Sequence, residues 1–131
     1  MKSGRFVVFS VLVVGLLLSA CGGGGGAASQ PTAAPAIVGN PEAGKTKFES
    51  TCASCHGLDA KGLPNLGKDL TTSDFSKGLA DNKLVEFIMK GRPTSDPANT
   101  TGVDMPARGG NPALTETDLY DIVAYVRTLE K

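Results

Sequence analysis

The sequence predicts an all-α domain, and three observations carry that prediction. Apolar residues recur at helical spacing in two long segments, cap residues stand where helices should start, and no alternating strand pattern of useful length appears. The domain occupies residues 41–131, a single unit by any length prior.

Residues 1–20 read as a targeting segment, to be left out of fold reasoning. Lys2 and Arg5 give a positive start, and an apolar run follows over residues 6–18. That run is shorter than the roughly 20 apolar residues needed to cross a bilayer. Leu18-Ser19-Ala20-Cys21 resembles the bacterial lipobox, with small residues before the cut and a cysteine at the new amino terminus. The resemblance implies lipidation of Cys21 on sulfur and, in many bacteria, acylation on nitrogen. The competing reading is an uncleaved anchor starting near residue 6. Both export the domain and tie it to a membrane.

Residues 21–40 form the anchored cysteine and a linker rich in Gly, Ala, Ser and Pro, with five consecutive glycines at 22–26. Such a chain has nothing to bury and reads as a flexible tether. Its r.m.s. span is roughly 25 Å, from about 5–6 Å times the square root of the residue number. Held against a larger complex, it would lose that freedom.

The first helix is expected over about residues 41–51, with Asn40 as N-cap and Pro41 at the first helical position, where no N–H is needed. The second is expected over 81–90, with Leu84, Val85, Ile88 and Met89 at helical spacing and Gly91-Arg92-Pro93 as the stop. Either Ala80 or Asp81 caps it. The third begins after Thr115, where Thr115-Glu116-Thr117-Asp118 approximates a capping box, and Leu119, Ile122, Val123, Val126 and Leu129 form its apolar face. With no Trp and few aromatics, this core is small. Small scaffolds usually borrow stability from a staple or cofactor, so the domain is expected to be largely disordered without one.

The cofactor is written in Cys52-Ala53-Ser54-Cys55-His56. CxxCH is the attachment sequence for a c-type haem: two thiols add to the two vinyl groups, and the next histidine ligates the iron. A thioredoxin-like dithiol would sit in a βαβ context, which is missing here. A structural zinc site wants four ligands, and the chain has one histidine and only three cysteines, Cys21 being assigned to lipid. No thiol is left over for a disulfide.

A first helix leading into CxxCH, a middle helix, a Met-bearing loop and a last helix together resemble the class I cytochrome c fold over residues 41–131. The resemblance implies one covalent haem c and crossed N- and C-terminal helices, with Gly44 and Phe48 meeting Tyr125 and Val126. His56 is the only histidine, so a second imidazole ligand from this chain is impossible. Of three methionines, Met1 leaves with the leader and Met89 falls on the apolar face of the second helix. Met105-Pro106, in the Gly/Pro-rich loop 91–114, looks like the family's sixth-ligand signature. A thioether raises the reduction potential relative to a second histidine, and His/Met ligation closes the iron to substrate. By the same resemblance the Pro64 carbonyl accepts from Nδ1 of His56 and Leu66 packs on the haem. For Arg92 and Arg108 two readings stand, contact with the haem propionates or exposure to solvent; the second is taken, and both are left out of the site.

Of the 13 basic residues, Lys2 and Arg5 leave with the leader; 11 then face 13 acidic ones, a net charge of −2. The signs are interspersed, with no basic stripe for nucleic acid and no single-sign field for one partner. The expectation is a membrane-anchored monohaem electron carrier, not an enzyme, on the outer face of the bacterial cytoplasmic membrane. It has redox-protein partners and no small-molecule substrate. It works as a tethered carrier or as a fixed subunit; lipoprotein cytochromes of this size resemble a subunit of the quinol-oxidising alternative complex III. The alternative is a haem-based sensor of small gases with a displaceable Met105. A peroxidase would need a distal acid–base residue, for which no second histidine exists.

Overall fold

The computed structural model describes residues 38–131. The expected leader, Cys21 and most of the linker lie outside these residues. The elements run α1 (Pro41–Thr51), α2 (Ala53–His56), α3 (Asp74–Gly78), α4 (Asp81–Lys90), a 3₁₀ turn (Ala107–Gly110) and α5 (Glu116–Leu129). Among the described residues there is no strand, only an isolated antiparallel bridge between Arg92 and Met105. None of the described helices is long and apolar enough to cross a membrane.

The three expected helices form with the expected ends. The Asn40 side chain accepts from the Ala43 amide at 2.9 Å, satisfying one of the free amides of the first turn of α1. At α5 both halves of the capping box are present: Thr115 accepts from the Asp118 amide, and the Asp118 carboxylate accepts from the Thr115 amide. Ala80 is the N-cap of α4 and makes no side-chain bond there.

Packing of α1 on α5 sets the frame. At Gly44 an added Cβ would fall 1.9 Å from the Asp121 carbonyl oxygen, so only glycine lets the two backbones approach this closely. One turn on, the Phe48 and Tyr125 rings meet at 5.5 Å with a 58° tilt. A tilted pair of this kind is worth about 0.5–1.5 kcal/mol beyond its buried area. Phe48, Leu119, Ile122, Val123 and Val126 are buried around the contact, and Leu84 and Val85 of α4 complete the core. Contact with α5 reaches one residue before α1, since the Asn40 amide donates to Asp121 Oδ1 at 2.8 Å.

Candidate functional site

Between α1, α4, α5 and the loops lies a cavity of about 510 Å³ with mainly apolar walls. Its floor is the same face of α5 that makes the core: Ile122, Val123 and Val126 line both. Phe48 and Leu84 add further apolar wall. The volume falls in the range typical of cofactor and ligand sites.

Cys52, Cys55 and His56 form one wall. Cys52 ends α1, its amide donating to the Phe48 carbonyl at 2.8 Å, and α2 then carries Cys55 and His56 in one short turn. The two cysteines form no disulfide with each other. Burial pushes the Cys52 thiol up to about 11, and the neighbouring Cys55 adds to the shift. An uncharged sulfur suits this wall, and a thioether is uncharged.

Nδ1 of His56 lies 2.8 Å from the Lys68 carbonyl oxygen. Donation there fixes the tautomer, leaving the lone pair on Nε2 for a metal. The acceptor differs from the expected Pro64 carbonyl, and the reason is local. Residues 63–67 form a tight turn, with the amides of Leu66 and Gly67 donating to the Leu63 carbonyl and Asn65 at φ 57°. Pro64 is exposed in that turn, and the chain comes back to the imidazole only at Lys68. Pro64 lines a separate hollow beside Lys61 and Asn65 instead of the large cavity. Leu66 does line the large cavity.

Met105 enters the cavity wall from the loop after α4, so it shares one cavity with His56. Its backbone is held at both polar groups: its amide donates to the Arg92 carbonyl at 2.9 Å, and its carbonyl accepts from the Arg92 amide at 2.8 Å. Gly91, with φ 72°, permits this closure, because an added Cβ would fall 2.2 Å from the Met105 carbonyl oxygen. Met89 packs against the hydrophobic core and is absent from the cavity wall.

Sequence reasoning set aside one residue that lines this cavity. Arg92 is not a solvated arginine: its side chain is 20% exposed, it lines the cavity, and its guanidinium lies over the rings of Phe75 and Phe87. The helix that carries Phe75, α3, was also unexpected, although Ser73 caps it by accepting from the Ser76 amide and Asp74 follows in its first turn. Those two residues were the available signal. Arg108 gives a guanidinium hydrogen bond to the Leu114 carbonyl and does not line the cavity.

The arrangement fits a haem: an apolar cavity, two thiols and an imidazole on one wall, and a thioether reaching the same space. A family model described as Cytochrome c matches residues 41–130. The chain is 36% identical over 85 residues to cytochrome c-555 of Chlorobaculum thiosulfatiphilum, covering 64% of this chain and 90% of that protein. It is 32% identical over 96 residues to the Cbb3-type cytochrome c oxidase subunit CcoP of Rhodobacter capsulatus, covering 72% of this chain but only 31% of the subunit. Among solved structures, cytochrome CL from the marine methylotroph Methylophaga aminisulfidivorans aligns with a TM-score of 0.51 at 27% identity, over 68% of this chain and 52% of that one. The cavity, the CxxCH wall and these likenesses lead to one conclusion: the chain belongs to the cytochrome c family, as a class I, all-α c-type cytochrome that binds one haem c covalently through its cysteine pair and transfers electrons without being an enzyme.

Proposed function

We propose that this protein is a membrane-anchored monohaem electron carrier whose iron is held by His56 and Met105. The observation that carries the proposal is that both residues line one cavity together with Cys52 and Cys55. Haem c, when bound, supplies one-electron exchange at its iron. The chain does the rest. His56 is oriented by the Lys68 carbonyl, which makes Nε2 the metal-binding nitrogen. Met105 offers a soft, neutral thioether that favours the ferrous form. The apolar faces of α1, α4 and α5 exclude water and lower the local dielectric.

The sensor reading needs Met105 to leave the iron easily. Its backbone is tied to Arg92 by two hydrogen bonds, which favours a fixed ligand and hence the carrier. Lipidation at Cys21 would hold the domain at the outer face of a bacterial membrane, within reach of redox-protein partners. Service as a subunit of a larger quinol-oxidising or oxidase assembly is a variant of the same role; CcoP, one of the relatives, is named as an oxidase subunit.

An absorption spectrum of the ferric protein tests the ligand set. His/Met ligation gives a weak band at the red end of the visible, and Met105→Ala should abolish it and open the iron to carbon monoxide when reduced. Retention of that band in Met105→Ala would refute the assignment. Intact mass of the protein extracted from membranes tests the anchor: a chain that begins at Cys21 and carries acyl chains is expected. A chain that still carries residues 1–20, or an unmodified Cys21, would refute lipid anchoring.

A further inference from the structure

Arg92 stands where three parts of the molecule meet. Its guanidinium carbon lies 4.5 Å from the centroid of the Phe75 ring, on α3, and 4.7 Å from that of Phe87, on α4. Those rings pack edge-on to each other at 4.9 Å. Nε reaches Asp96 Oδ2 at 3.2 Å within the loop, and the main chain of Arg92 exchanges both hydrogen bonds with Met105. The loop between those two residues is largely self-bonded: the Asn99 carboxamide oxygen accepts from the amides of Thr101 and Gly102, and the Asn99 amide group donates to the Val103 carbonyl. It therefore behaves as one preformed piece whose two ends are pinned at Arg92.

We infer that Arg92 is a positioning residue: it clamps the Met105 loop over the cavity, and its cation at the cavity wall biases the bound haem towards the ferrous state. The inference rests on the Met105 assignment made above. A guanidinium between two aromatic faces is held by its planar, weakly hydrated charge, which an ammonium does not reproduce. Taking one electron from a redox-protein partner turns ferric iron into ferrous and lowers the charge of the centre by one. A nearby cation sheltered from water favours that form, and a nearby carboxylate opposes it. Asp96 is the opposing charge on Arg92 itself; Lys68, Asp69 and Asp104 are the other charged residues of the cavity wall.

The test uses the mature holoprotein with four substitutions: Arg92→Gln, Arg92→Lys, Asp96→Asn and, as a destabilised control remote from the loop, Lys47→Met. Two readouts separate clamping from general weakening: the midpoint potential, and the rate at which added imidazole displaces the sixth ligand. Arg92→Gln should lower the ferrous-to-ferric ratio at a fixed applied potential by up to tenfold, which is about 59 mV for one electron. Asp96→Asn should move the potential the other way. Arg92→Lys should hold the potential near that of the native protein but take up imidazole several-fold faster than Lys47→Met. If Arg92→Gln does not accumulate, Arg92→Lys and Asp96→Asn decide alone. Potentials that do not move, or that move the same way in Arg92→Gln and Asp96→Asn, would overturn the inference, as would imidazole rates no faster than the control. A native protein without the red-end band would instead defeat the Met105 assignment.

Discussion

The backbone amide of Asn40, the residue before α1, donates to Oδ1 of Asp121 in the middle of α5 at 2.8 Å. The Asp121 side chain is 11% exposed, and its other oxygen accepts from Lys47 Nζ at 2.5 Å. Lys47 also pairs with Asp118 at 2.7 Å, so one ammonium joins α1 to two turns of α5. Burial raises the Asp121 pKa, but the Asn40 amide and Lys47 outweigh it and hold the carboxyl below its usual range. Asp118 is held well below that range by Lys47 first and the Thr115 hydroxyl and amide next. Both carboxylates are thus more acidic folded than unfolded. Their contribution is present in full above the unfolded value near 3.9 and is lost as pH falls through the folded values. The Lys47 pKa is raised by its bonds to Asp118 and Asp121, so its share holds below about pH 10.4 and fades at higher pH. Asp121→Asn should cost about 1–2 kcal/mol at pH 7. It should also flatten the acid limb below pH 4 in thermal melts of the holoprotein; an unchanged limb would contradict the pairing.

Gly44 and Gly78 make a matched pair for testing the helix crossing. Gly44→Ala pushes a methyl group into the Asp121 carbonyl, a backbone atom that cannot step aside without parting α1 from α5. A loss of about 2–4 kcal/mol is expected, at the upper end of overpacking effects. Gly78, the last residue of α3, has nothing within 4 Å of an added Cβ. Gly78→Ala should be neutral or gain up to about 1 kcal/mol through the unfolded chain. Chemical denaturation of both variants checks the contrast, and equal effects would remove the argument for close approach at Gly44.

What was legible in the sequence was whatever depends on local chemistry. Asn40, Pro41, Thr115 and Asp118 announce their helices because caps act within three or four residues. Cys52, Cys55 and His56 announce the haem because attachment needs them on one short turn. The position of Met89 on an apolar helix face likewise told of core packing. The acceptor for His56 was not legible, because it depends on where a turn returns the chain; the difference between Pro64 and Lys68 is one of loop closure, not residue type. Arg92 was hidden for a related reason. Its shelter comes from Phe75 and Phe87 on separate helices, and one of those helices has only five residues.

The two internal methionines should respond oppositely to the same substitution. Met89 packs on the core side of α4, where leucine conserves volume, so Met89→Leu should cost less than about 1.5 kcal/mol and leave the red-end band and the potential unmoved. Met105→Leu keeps the apolar bulk in the cavity wall but removes the sulfur. It should erase the band and lower the potential while changing little in helix content. Spectroelectrochemical titration of the two variants side by side reads both effects. A potential that follows Met89 instead would transfer the ligand role to α4.

The cavity also bears on how the domain folds. Phe48, Leu84, Ile122, Val123 and Val126 belong at once to the core and to the wall of a space of about 510 Å³. Without the haem these side chains face an open, water-accessible space where a packing partner should be, at the centre of a domain whose whole stability is on the order of 5–15 kcal/mol. The haem is therefore expected to supply the centre of the core as well as the redox chemistry. A chain with both Cys52→Ala and Cys55→Ala, purified free of haem, should show weak helical circular dichroism and a poorly dispersed NMR spectrum, and haem added back should recover part of the helix content through His56. A well-dispersed native spectrum from the haem-free chain would mean that packing of α1 on α5 suffices alone, and the contact of Phe48 with Tyr125 would then carry more of the fold than the cofactor does.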